Sequence, residues 1–292
     1  MEVLWSPTLA ALPTLTDDRA VESGSICVID PAQAPILEYD PSRNAVVEPH
    51  LAITRFDLPA RVVLCFFRDA ISAFVEEVGG REIGRLESEI GTFPVFEVEL
   101  DGQRVAVTQA GVGAPLAAGW LDELITLGGR AFVAAGGAGV LVPDLAMGHV
   151  VVPTAAIRDE GTSYHYLPAR REVEPTADAL AAIVATLDLR GVPHVLGKTW
   201  TTDGFYRETR DKVARRVAEG CLTVEMEAAA FFAVARFRGV SFGQMLYAGD
   251  DLSGEAWDGR AWLDHASGRD LLLRLAVEAV MRIEVGTLRP DG

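Results

Sequence analysis

Residues 104–141, RVAVTQAGVGAPLAAGWLDELITLGGRAFVAAGGAGVL, decide the fold class. RVAVTQA is a short, β-branched run that ends at Gly111, Val112 and Gly113. The segment from Ala114 to Leu127 carries Pro115 in its first turn and stops at Gly128 and Gly129, with proline just inside a helix and glycine just past it. AFVAAGG then returns as a second apolar run, and Gly136, Gly137 and Gly139 precede VLVPD, which predicts a close backbone turn at the end of a strand. Strand, helix and strand in immediate succession are the alternation of an α/β fold.

The pattern extends on both sides. RVVLCFF, HVVVPTAAI and VSFGQMLYAGD are further short apolar runs, and Pro175 opens a helix through Leu189 that stops near Gly191. PVFEVEL and RVAVTQA flank Asp101 and Gly102, the pair that a two-residue hairpin turn prefers, so the sheet is expected to be mixed. Residues 1–47 differ from the rest. Pro7, Pro13, Pro31, Pro35 and Pro41 interrupt any periodicity, so this part reads as an extension packing on one α/β domain that occupies residues 48–292. There is no internal repeat and no low-complexity tract.

Composition excludes several functions. The 292 residues are 49% hydrophobic, enough to bury a large core. With 42 acidic against 26 basic residues the net charge is −16, which repels a nucleic-acid backbone. Cys27, Cys65 and Cys221 have no metal or redox spacing, and Cys65 and Cys221 read as reduced core residues. No run approaches the ~18 apolar residues of a membrane span, and the N-terminus lacks a basic region followed by an apolar stretch. The expectation is a cytoplasmic protein without a membrane or nucleic-acid partner.

Chemistry concentrates in LTVEMEAAAFFAVARFRGV, residues 222–240. Glu225 and Glu227 flank Met226 where a strand-like run passes into an Ala-rich helix, so both carboxylates meet unpaired N–H groups that help them stay ionised. A carboxylate held there can accept hydrogen bonds from sugar hydroxyls, and such bonds strengthen as a sugar ring becomes oxocarbenium-like. Periodicity alone leaves two acidic residues in the first turn of an ordinary helix. The glycine loops 111–113 and 136–139 likewise read singly as tight turns. Together they place two loops on one edge of one sheet, the edge where ligands bind in open α/β folds.

VEMEAAAFFAV resembles the signature of the purine nucleoside and uridine phosphorylase family, in which the Glu-Met-Glu triplet holds ribose. Residues 110–141 resemble that family's glycine-proline loop, helix, strand and second glycine loop in order, and VVVPTAAIRDEGTSYHY resembles the strand after them. HLAITRFDLPARVVL is similar to the opening of bacterial uridine phosphorylases, and TTDGFYRE to the segment that carries a base-stacking aromatic. The resemblance runs from about residue 48 to the C-terminus. It implies a single-domain α/β/α sandwich around a mixed, barrel-like β-sheet, assembled as dimers or as hexamers of dimers. It also implies a nucleoside substrate, with ribose held by Glu225, Met226, Glu227 and a partner's copy of His50. The base would meet Phe205, Ala138, Gly139 and Asp250. Asp250, in YAGDDLSGE, would act as general acid toward a purine or purine-like base, with Glu227 the other catalytic residue. Asp251 competes with it, or caps the Asp-Leu-Ser-Gly turn.

Departures from the family concern the acceptor. Where phosphorylases place arginines and a hydroxyl around phosphate, this chain has Arg68 and Ser72, then Gly91, then Ala134 and Gly137. Each charge-assisted hydrogen bond contributes about 1.5–3 kcal/mol, so the loss of several weakens phosphate binding by orders of magnitude. Arg68, Asp69, Gly136 and Gly137 remain as candidates to hold phosphate or water. Three readings follow: phosphorolysis to free base and ribose 1-phosphate with inorganic phosphate as co-substrate, hydrolysis with Asp69 activating water, or nucleoside binding without chemistry. No spacing implies a metal or an organic cofactor. His165, in DEGTSYHY, has no assigned role.

Overall fold

The computed structural model describes residues 34–261 and 266–285. Cys27 and residues 1–33 of the expected extension lie outside them. In chain order the elements are α1 (Pro49–Ala52), β1 (Arg61–Cys65), α2 (Arg68–Val78), β2 (Arg81–Ser88), β3 (Gly91–Leu100), β4 (Gln103–Gln109), α3 (Ala114–Leu127) and β5 (Ala131–Val140). They continue as β6 (Val150–Asp159), α4 (Ser163–Tyr166), β7 (Glu172–Val173), α5 (Ala177–Leu189), β8 (His194–Thr202), α6 (Arg210–Ala218), β9 (Cys221–Glu225), α7 (Ala228–Arg238), β10 (Ser241–Asp251) and α8 (Ala266–Arg282). Short 3₁₀ turns lie at Pro35–Leu37 and Phe205–Arg207.

The sheet is mixed and partly closed. Strands β5, β10, β6, β8 and β9 form a ring in which each pairs with the next and β9 returns to β5. From β5 a wing extends through β1, β4, β3 and β2. Asp101 and Gly102 have φ of 50° and 72° and join β3 to β4 as an antiparallel hairpin, as the Asp-Gly pair predicts. β1 is parallel to both β4 and β5, which brings the ends of all three strands to one edge.

The expected turn at Gly136–Gly139 is absent, because β5 continues to Val140. These glycines serve a different purpose. Along residues 131–135 β5 pairs with β1, whereas at Gly139 and Val140 it pairs with β9, so the strand changes neighbours where side chains crowd it. A Cβ on Gly136 would come within 2.8 Å of the Phe66 ring, and one on Gly139 within 2.7 Å of Leu252. Pro175 likewise does not open its helix. Thr176 is the N-cap of α5, and Pro175 precedes it.

Two helical layers cover the sheet. α2, α5 and α8 enclose one core with Val63, Val107, Val133 and Met245 of the strands. α3 and α7 enclose the other with Val62, Phe132 and Phe242. Every residue of α7 from Ala228 to Ala235 is buried, and Phe231 stacks on Phe242 with ring centroids 4.8 Å apart. A helix apolar on all sides has to lie inside the molecule, so the α7 N-terminus is carried into the interior. Arg43, ahead of α1, reaches the end of α7 and donates to the Phe237 carbonyl at 2.8 Å. Among the described residues no helix is long and apolar enough to cross a membrane.

Candidate active site

A cavity of about 1180 Å³ opens at the edge where β1, β4 and β5 end. Its walls come from Phe66 and Phe67 after β1, Val112 after β4, Gly137–Gly139 of β5, Phe205, Tyr206, Glu208–Arg210 and Val213, Val224–Glu227, and the end of β10 with Trp257 and Arg269. Of the sequence-predicted residues it brings together Phe205, Glu225, Met226, Glu227, Asp250, Gly137, Ala138 and Gly139.

Glu225 and Glu227 have different environments. Glu225 ends β9, where the Thr201 hydroxyl donates to Oε1 at 2.6 Å and the N–H groups of Glu227 and Ala228 donate to Oε2 at 2.7 and 2.6 Å. These bonds fix the N-terminal turn of α7 and occupy the carboxylate. Glu227 is the N-cap itself, and its Oε1 accepts the Gly113 N–H at 2.6 Å. Gly113 reaches it because the β4–α3 loop turns through a φ of +87°, open to glycine without strain. The Glu227 carboxyl lines the cavity and is also held by the Met226 backbone.

Burial opposes charge on both groups. It pushes the Glu225 carboxyl up against the pull of its three hydrogen bonds, and burial followed by the charge of Glu225 pushes Glu227 up further. Helix N–H groups stabilise the anions while desolvation opposes them, and the net direction is upward for both carboxyls.

At the far wall Asp250 is the last residue but one of β10, and the Trp257 indole N–H donates to its Oδ2 at 2.7 Å. Asp251 has a structural role, accepting the Ser253 N–H at 2.7 Å and pairing with Arg260. Of the two aspartates it is Asp250 that lines the cavity. Phe205 is half-exposed beside it, its ring 4.1 Å from that of Tyr206. Arg210 donates to the carbonyls of Leu252, Gly254 and Glu255 and ties the loop after β10 to α6.

The remaining predicted residues lie elsewhere. Arg68 is exposed at the start of α2 and does not line the cavity. Asp69 is exposed, with Oδ1 4.0 Å from Arg269. Gly136 packs behind Phe66, and Ala134 is fully buried. His50 on α1 and His165 on α4 are exposed and outside this cavity. Sequence reasoning missed Arg269, Trp257, Glu208 and Tyr247, all of which line the cavity. Arg269 is 8% exposed, its guanidinium 5.2 Å from the centre of the Phe67 ring. An arginine on an amphipathic helix carries no such signal. Glu208, only three residues after Phe205, was within reach of a closer reading.

Residues 60–276 match the sequence model of the phosphorylase superfamily. The chain belongs to this superfamily. The guanosine phosphorylase of Halorubrum lacusprofundi is 32% identical over 151 residues, 52% of this chain and 63% of that protein. The uridine phosphorylase of Treponema pallidum is 35% identical over 153 residues, 49% of this chain and 59% of that protein. The matched part thus spans about six tenths of the length of these relatives. In fold, the purine nucleoside phosphorylase of Toxoplasma gondii, solved with immucillin-H, superposes with a TM-score of 0.68 at 22% identity, over 82% of this chain and 98% of that one. The mixed α/β architecture with its closed five-stranded ring is the superfamily's fold.

Proposed function

We propose that this protein cleaves the N-glycosidic bond of a nucleoside with a purine or purine-like base and passes the ribosyl group to inorganic phosphate. The observation that carries this reading is Glu227, a buried carboxyl held by the Gly113 N–H at the α7 N-terminus and lining the cavity. Ribose hydroxyls donating to this carboxyl would bind more strongly as positive charge develops on the sugar ring. The departing base would lie between Phe205 and Asp250. Among the matched relatives are a guanosine phosphorylase and uridine phosphorylases, which supports this class of reaction. In this reading His50, exposed and outside its own cavity, is lent to a neighbouring subunit, and the protein is a dimer or a hexamer of dimers.

Arg269 supplies the cationic side chain that Arg68 does not, reaching the cavity from α8 beside Phe67. A second reading, hydrolysis, is favoured by one observation. Ala134 and Gly137 offer an anion no side-chain donor, and Phe66 and Phe67 take up wall space next to them. Release of free base from purine and pyrimidine nucleosides, measured with and without phosphate, separates the two. Phosphate-dependent release with a sugar 1-phosphate product is expected. Equal release in both buffers would establish hydrolysis, and binding without release would reduce the protein to a nucleoside receptor.

A further inference from the structure

We propose that Glu208 is a second carboxyl of the base end of the cavity and hands its proton to the departing purine, with Asp250 as its charged partner. The proposal rests on the nucleoside-cleavage reading and adds a catalytic residue to it. Glu208 closes the 3₁₀ turn that begins at Phe205, and both residues line the cavity with Asp250. The two carboxyls differ in one respect. Asp250 accepts the Trp257 N–H at 2.7 Å, whereas among the described residues no hydrogen-bond donor reaches the carboxyl of Glu208.

Two carboxyls facing one space resist carrying two charges, and the proton stays with the one that lacks a donor. The charged groups acting on Glu208 are Asp250 on β10 and Lys212 on α6, and the Lys212 ammonium is drawn to Asp159 at 3.2 Å. Burial pushes the Glu208 carboxyl up to about 7, the charge of Asp250 adds to the rise, and Lys212 opposes it. A proton held near neutrality is matched to general acid catalysis at that pH.

The step balances as follows. The C1′–N9 bond breaks and its electron pair enters the imidazole ring of the base, while an oxygen of the acceptor phosphate forms a new bond to C1′. The Glu208 proton passes to a ring nitrogen, so the base leaves neutral, and solvent reprotonates the carboxylate. A departing pyrimidine would instead place negative charge on carbonyl oxygens that face two carboxyls. The site therefore suits bases with a protonatable imidazole nitrogen.

The test compares wild type, Glu208→Gln and Asp250→Asn on inosine and on 7-methylguanosine, whose base leaves without needing a proton, across the pH range around neutrality. Glu208→Gln should slow inosine cleavage by about a hundredfold or more. It should also remove the fall in rate above neutral pH and slow the methylated nucleoside far less, with the thermal midpoint kept as a check on folding. Asp250→Asn should retain that alkaline limb. An equal loss on both nucleosides, an unchanged Glu208→Gln, or transfer of the alkaline limb to Asp250 would overturn the role of Glu208 alone. A wild type that releases no base from any nucleoside would overturn the cleavage reading and Glu208 with it.

Discussion

Around Glu227 the cavity wall is held from behind by a helix buried on every side, a threonine hydroxyl and three backbone N–H groups. Beside Phe66 and Phe67 the wall is apolar, and its cation comes from Arg269 on a distant helix rather than from the loop that follows the strand. One region is fixed by a dense set of hydrogen bonds at a strand-to-helix junction and the other by how a remote helix docks. Chemistry built on the first tolerates little change, whereas the second leaves room for a different acceptor in the same fold.

The largest expected effect tests the first region. Glu227→Ala should lower base release by about two to three orders of magnitude, because hydrogen bonds that strengthen in the transition state are worth several kcal/mol. Nucleoside affinity should fall much less. If steady-state kinetics showed the loss only in KM, Glu227 would be a binding group and the contrast between the regions would disappear.

A smaller effect tests the second region. Arg269→Met keeps most of the packing against Phe67 and removes the charge, so the KM for phosphate should rise about ten- to a hundredfold, the worth of one charge-assisted hydrogen bond. Arg68→Ala should leave it nearly unchanged. The reverse order of effects would return the acceptor site to the α2 terminus that the sequence suggests.

The smallest effect concerns stability against pH. Carboxyls raised by burial bind their protons more tightly in the folded than in the unfolded chain, so their contribution is complete below the ordinary value of 4.5 and is lost as pH rises. For Glu225, lifted to about 7, and Glu227, lifted to about 8, the ligand-free protein should lose thermal stability across that window. Glu227→Gln should flatten the slope. A midpoint that rises over the same range would mean that the helix N–H groups outweigh burial after all.

Legibility in the sequence followed the range of the interactions. The hairpin at Asp101 and Gly102 and the α3 boundaries rest on local backbone preferences, and both are found in the structure. The glycines of β5 were misread as a turn because a glycine needed for conformation and one needed for space look the same in a sequence. Their reason is the Phe66, Tyr247 and Leu252 side chains that press on the strand from other elements. In the same way Arg68, next to a strand end, was a reasonable anion ligand until helix α2 presented it to solvent.

The sequence by itself determined the α/β class, the position of Glu225–Glu227 at a strand-to-helix junction and the presence of an aspartate at the end of the last strand. All three depend on residues adjacent in the chain. Only the tertiary structure decided that Glu225 is consumed in holding α7 while Glu227 takes the Gly113 N–H, that Asp250 rather than Asp251 faces the cavity, and that Glu208 joins it. Those outcomes depend on which donors and charges converge from β4, β8, α6 and the loop after β10, and a linear pattern carries no record of that convergence.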